Sequence, residues 1–235
     1  MKSAGPDKEG AFRAPLGSAS RGRIVLVGGA SHLVIKADPA MKDLCRARFF
    51  EEPVPGVRIR RSTITVRYPR LRPLDGSRRE YSGEVVLGTR VPWRIGFGGG
   101  GVSRLAVDLS GLRLGSFEVE DGASRVELRL PTPSGSVPVR FRGGASNVAV
   151  HRPAGVATRL QVSGGVTNLS FDGRHFGVVA DEVDLQTPDY ADASDRYDIA
   201  VTGGANNLTF DAARPDHSAL AGADPPVTPR EKEGE

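Results

Sequence analysis

The sequence is poor in the residues that most folds are organised around. It has one cysteine, Cys45, one tryptophan and only 6% aromatic residues among 235. A lone thiol forms no intrachain disulfide, so nothing in the fold calls for an oxidising compartment. No run approaches the roughly 18 apolar residues that cross a bilayer. The first twenty residues, MKSAGPDKEGAFRAPLGSAS, lack the apolar core of a secretory signal. The chain is therefore expected to be cytoplasmic or peripheral to a membrane, without a span. Its four histidines, His32, His151, His175 and His217, have no metal-ligand spacing and no second cysteine to join them. No metal or other cofactor is expected.

What is plentiful is backbone punctuation: 30 Gly and 17 Pro, one fifth of the chain, the composition of a turn-rich protein. Arginine supplies 27 of the 32 basic residues, and charge is unevenly spread. Residues 46–94 hold 12 Arg against 5 acidic residues, whereas residues 95–211 hold 10 Arg against 14. A basic N-terminal half precedes an acidic C-terminal half. The ends, residues 1–21 and 213–235, are polar and aperiodic and read as disordered tails around one domain over 22–212.

Inside that domain one phrase recurs. GGASHLVI begins at Gly28, GGVSRLAV at Gly100, DGASRVEL at Asp121, GGASNVAV at Gly143, GGVTNLSF at Gly164 and GGANNLTF at Gly203. The last five are separated by 21, 22, 21 and 39 residues, so a step of about 21 fits, with the final gap close to two steps. Self-similarity at fixed spacing marks a solenoid. Runs alternating with period two flank each glycine pair, which means strand, tight corner, strand. The corners are Gly28–Gly29, Gly143–Gly144 with Asn147, Gly164–Gly165 with Asn168, and Gly203–Gly204 with Asn207. Val139, Phe141, Val148 and Val150 should point inward from one coil, Leu160, Val162, Leu169 and Phe171 from the next, and Ile199, Val201, Leu208 and Phe210 from the last. The expected fold is all-β: a single-domain, right-handed β-helix-like solenoid. Residues 95–211 form its regular coils, and residues 37–94 form irregular coils with insertions. One short helix is expected over residues 39–50, where Leu44, Ala47 and Phe50 would share a face.

Candidate chemistry is sparse. GFGGGGVS lacks the Lys-Ser/Thr of a phosphate loop and leads into a strand. Ser103, Ser124, Ser146, Thr167 and Asn206 repeat with the corners, as expected of polar groups satisfying corner backbone rather than of a nucleophile. The acidic stretch over 181–198 lacks the order of a calcium loop and reads as a solvated connection. Asp172, Asp184 and Asp211 could supply a carboxylate pair for glycoside cleavage only without further guidance from the sequence. The strongest candidate is VRIRRSTITVRYPRLRP, whose Arg58, Arg60, Arg61, Arg67, Arg70 and Arg72 suit an anionic partner or an interface. Tyr68 is its only ring, which argues against nucleic acid.

The repeated GGAS units, with RYDIAVTGGANNLTF near the end, resemble the bacterial toast-rack or putative-adhesin family, including the C-terminal domains of Lia-type envelope-stress proteins. The resemblance covers about residues 95–210 and, as an isolated copy, 24–35. It implies a non-enzymatic β-solenoid for interaction, sensing or scaffolding, bound to a protein partner or to itself, with no cofactor. A β-helix that binds or cleaves polysaccharide is the alternative.

Overall fold

The structure, a computed structural model, describes residues 10–50, 53–69 and 82–213. The described residues form nineteen strands and no helix. In chain order these are β1 (Ala11–Pro15), β2 (Gly22–Val27), β3 (Ala30–Asp38), β4 (Asp43–Phe49), β5 (Gly56–Arg60), β6 (Thr63–Arg67) and β7 (Gly83–Gly88). The regular part follows as β8 (Pro92–Gly98), β9 (Val102–Asp108), β10 (Arg113–Val119), β11 (Ala123–Arg129), β12 (Ser136–Arg142) and β13 (Ala145–Arg152). The last are β14 (Ala157–Ser163), β15 (Val166–Phe171), β16 (Arg174–Val179), β17 (Val183–Gln186), β18 (Arg196–Thr202) and β19 (Ala205–Ala212).

They make two sheets. Sheet A runs β1-β4-β7-β3-β9-β11-β13-β19-β15-β16, and sheet B runs β17-β14-β18-β12-β10-β8-β2-β6-β5. Each coil lays one strand in sheet B, turns a corner, and lays the next in sheet A. The result is the expected all-β solenoid, flattened into two layers. Alternation puts one side chain in two between the sheets. Ile24, Ile95, Phe117, Val139, Ile199 and Leu160 line one inner row of sheet B, and Leu33, Leu105, Val126, Val148, Leu208 and Leu169 the facing row of sheet A, all buried. All twelve inward positions read from the repeats are buried. Phe97, Phe117 and Phe141 stack from coil to coil at centroid distances of 5.7 and 6.0 Å.

The corners explain the glycines. Gly143 takes φ +78°, and a Cβ there would lie 2.9 Å from the Gly122 nitrogen of the next coil. Gly203, at φ +100°, would meet the Gly144 nitrogen at 2.8 Å. Both conformation and close approach exclude a side chain. Three residues beyond the second glycine, His32, Arg104, Arg125, Asn147, Asn168 and Asn207 all sit at φ between +50° and +58°. Asparagine tolerates that region best among non-glycine residues. Corner amides bond the neighbouring coil, as in Ala145 N to Gly204 O at 3.2 Å and Ala205 N to Gly165 O at 3.1 Å. The asparagines bond one another: Asn168 donates to Asn207 and Asn207 to Asn147, each at 3.0 Å.

Four expectations need correction. Residues 39–50 hold β4 rather than a helix: Cys45, Ala47 and Phe49 face inward while Arg46 and Arg48 face solvent, a period of two. Asp38 makes the preceding turn by accepting from Ala40 N at 2.8 Å. The stretch 1–21 is not wholly tail, because β1 pairs antiparallel with β4. The acidic stretch 181–198 contains β17, paired antiparallel with β14. Finally, coils do not stack in chain order. β18–β19 is inserted between β12–β13 and β14–β15. β16 and β17 pair antiparallel on the outer side of β15 and β14, close the stack, and send the chain back inside. The N-terminal end is built the same way, with β4 and β5 antiparallel on β7 and β6. The expected C-terminal tail lies, from residue 214, outside the described residues.

Replacing Gly143 by Ala should lower the unfolding free energy by about 3 kcal/mol, from left-handed strain plus backbone overlap. Gly155→Ala, at φ +73° with open space around it, should cost only about 1–2 kcal/mol. Urea titration of both variants checks this. Burial pushes the Cys45 thiol up from 9.0 to about 12. The folded protein thus holds a proton that the unfolded chain releases, and stability is full below pH 9 and falls as pH rises toward 12. The expected slope from this group is about 1.4 kcal/mol per pH unit. Cys45→Ala should remove it between pH 9 and 10 in chemical denaturation.

Candidate anion-binding face

The expected basic segment folds as the hairpin β5–β6 at the N-terminal edge of sheet B. Alternation turns Val57, Ile64 and Val66 into the core and leaves Arg58, Arg60 and Arg67 exposed on the outer face. Arg61 occupies the turn at φ +54°. Arg70 and Arg72 lie outside the described residues.

Register adds two arginines that the sequence segment does not contain. Arg60 is opposite Thr63, Thr63 opposite Arg23, and Arg23 opposite Arg94. That row crosses four strands, with neighbours about 4.8 Å apart. The second row is Arg58, Thr65, Val25 and Gly96, and the third Gly56, Arg67, Val27 and Gly98. The outer face therefore has a low floor of small residues ringed by five exposed guanidinium groups. The signal for Arg23 and Arg94 was present in the sequence: each precedes the first inward isoleucine of its coil, Ile24 or Ile95.

Elsewhere on the solenoid, several arginines are matched to carboxylates. Arg140 meets Asp198 at 3.2 Å, Arg142 meets Glu120 at 2.7 Å, and Arg159 holds Asp184 through two bonds. The hydrogen bond from Arg159 is the main cause holding the Asp184 carboxyl below the usual carboxylate range. In sheet A, Arg13 and Arg46 share the buried Asp43, each at 2.7 Å. Burial raises that carboxyl, and the two arginines outweigh it, leaving it below its ordinary value. Among the described residues, Arg23, Arg58, Arg60, Arg67 and Arg94 meet no carboxylate. Guanidinium stays charged at any physiological pH, so this face carries five positive charges that no ion pair among the described residues offsets, with Glu118 next along the second row beside Gly96. Among the described residues it has no exposed ring on which a base or sugar could stack.

A larger cleft, of about 720 Å³, opens on the outer side of sheet A beside Arg129, His151, Arg152, Ser170, Asp172 and Asp211. It brings together two of the three aspartates considered for glycoside chemistry; Asp184 lies in sheet B. Its charges are already spent on one another. His151 Nδ1 lies 2.6 Å from Asp211, and Arg152 grips Asp172 at 2.8 and 2.6 Å. Arg152 is buried, belongs to β13, and reaches past the inserted β19 to the end of β15. This is a clasp that holds the inserted coil. Among the described residues, no three His, Cys, Asp or Glu side chains converge as metal ligands, and no helix is long and apolar enough to cross a membrane.

No protein-family model matches the chain, and no curated protein matches it. Among solved structures it is similar to a protein from Clostridium sporogenes described as a "putative cell adhesion protein". The TM-score is 0.68 at 16% identity, over 86% of this chain and 98% of that one. At that identity the likeness is one of fold.

Arg152→Met should cost about 2–3 kcal/mol, because it leaves Asp172 facing a part-buried site without its cation. Arg129→Gln, at an exposed pair with Glu127, should change stability by less than about 1 kcal/mol. Thermal or urea unfolding of the two variants distinguishes a clasp from a surface pair.

Proposed function

We propose that the chain is a non-enzymatic interaction module that docks an acidic partner on the arginine face of sheet B. The observation that carries this reading is a contrast within one sheet: among the described residues five arginines share a face and none of them pairs with a carboxylate, while Arg140, Arg142 and Arg159, farther along sheet B, each pair with one. Leaving like charges together costs folding energy through self-repulsion and repays it only when an anion arrives. The sheet holds the backbone of the five residues in fixed register, so only their side chains are ordered on binding. The cell-adhesion description of the structural neighbour and the resemblance to toast-rack proteins both accord with an interaction role. The face suits an acidic protein or an anionic surface, recognised by charge and shape.

Binding to immobilised polyglutamate tests the reading. Affinity should fall as salt rises, since the contact is electrostatic. Arg23→Gln combined with Arg94→Gln should weaken it by about 30-fold at low salt, at roughly 1 kcal/mol for each arginine. Arg140→Gln, whose charge is already matched, should have little effect. Equal binding by all three proteins would sink the proposal.

A further inference from the structure

Within that face lies a depression of about 410 Å³, lined by Gly56, Val57, Arg58, Arg60, Thr65 and Arg67. Resting on the reading of the face as a docking surface, we infer that the depression is a binding site for a phosphate monoester. The first ground is Gly56. Gly56 is the first residue of β5, directly after Pro55, and glycine in a strand often marks a bulge, a special backbone conformation or a close approach. The β5–β6 register runs without a shift from Gly56 opposite Arg67 to Arg60 opposite Thr63, so there is no bulge. Gly56 is not among the residues of positive φ. A Cβ there would come no nearer than 4.0 Å to any atom, the Arg67 carbonyl oxygen. Neither a positive φ nor a close contact outside its chain neighbours calls for glycine at this first position of the strand. What its missing side chain does is keep the floor beside Arg67 open.

The second ground is the rim. Arg58 and Arg60 are two residues apart on one strand face, and Arg67 stands across the ladder, diagonal to Arg58. Thr65, opposite Arg58, places a hydroxyl between them. Three guanidinium forks and a hydroxyl around one hollow offer far more donors than one carboxylate can accept. A phosphate monoester brings a charge of about −1.5 to −2 and three strong acceptor oxygens. Arginine forks bind such oxygens in pairs. Arg23 and Arg94, farther along the first row, would contact neighbouring charge on whatever carries the phosphate.

The chemistry is the same whether the phosphate is soluble or displayed as a lipid headgroup, and the experiment separates the two. Inorganic phosphate, sulfate and acetate are titrated at equal ionic strength, followed by NMR of the Arg58, Arg60, Arg67 and Thr65 resonances. Vesicles of phosphatidylcholine with phosphatidic acid are compared with vesicles of matched charge containing phosphatidylglycerol. Saturable shifts with phosphate, at least tenfold tighter than with acetate, are expected. A preference for phosphatidic acid as well assigns the site to headgroups; phosphate binding without that preference assigns it to a soluble ester. Gly56→Val keeps every arginine, suits a strand and fills the hollow, so it should lose phosphate binding by at least tenfold while still adsorbing to anionic vesicles through charge. Arg23→Gln with Arg94→Gln should do the reverse. If phosphate binds no better than acetate, or if Gly56→Val binds phosphate like the parent protein, the site is wrong. The docking face would survive that result provided the polyglutamate contrast holds.

Discussion

The contact between successive corners governs this protein. At each one the backbone of a coil lies against the backbone of the next, as the 2.8 and 2.9 Å approaches at Gly203 and Gly143 require, and the corner amides bond from coil to coil. A coil that turned differently would lose those bonds and throw its inward rows out of line. Uniform corners bring equivalent side chains into columns, and columns of isoleucine, leucine, valine and phenylalanine supply the hydrophobic energy, roughly 1.5–3 kcal/mol for each fully buried large side chain. The polar columns, including the asparagines at 147, 207 and 168, are by-products of the same alignment.

That rigidity gives the surface its meaning. A flat sheet pinned at its corners presents side chains at fixed spacings, so the charges on its outer face form a pattern rather than a cloud. Along sheet B the pattern changes from unmatched arginines at β5, β6, β2 and β8 to the ion pairs of Arg140 and Arg142 on β12 and of Arg159 on β14. The cleft on sheet A shows the opposite use of the same residue types. There Arg152, Asp172, His151 and Asp211 neutralise one another and bind coils together. Size alone would favour the cleft as the functional site; electrostatics favours the smaller hollow on sheet B.

Much of this was legible in the sequence, because inward positions and corners repeat and each copy checks the others. The inward residues at 139, 141, 148 and 150 and their equivalents follow directly from period two. Two things were not legible, and a third was only half so. Leu44, Ala47 and Phe50 fit a helical spacing as well as they fit chance, and the strand period of Cys45, Ala47 and Phe49 won because β4 had β1 and β7 to pair with. The order of coils was hidden because coils of one shape can stack in any order, and only the antiparallel strands β16 and β17 decide it. Arg23 and Arg94 lie far in sequence from Arg58, and only register joins them.

The inserted coil has a consequence for how the molecule comes into being. Strands β14 and β15 have their parallel neighbours in β18 and β19, which leave the ribosome after them. The end of the solenoid therefore cannot zip up behind the growing chain as a simple repeat protein can. It must wait with an open seam beside β12 and β13 until residues 196–212 have been made, and then close around them. Long-range closure of that kind is slow. A chain interrupted before residue 196 would keep the seam unfilled, with strand edges and apolar rows in solvent, in the form that proteases and chaperones recognise.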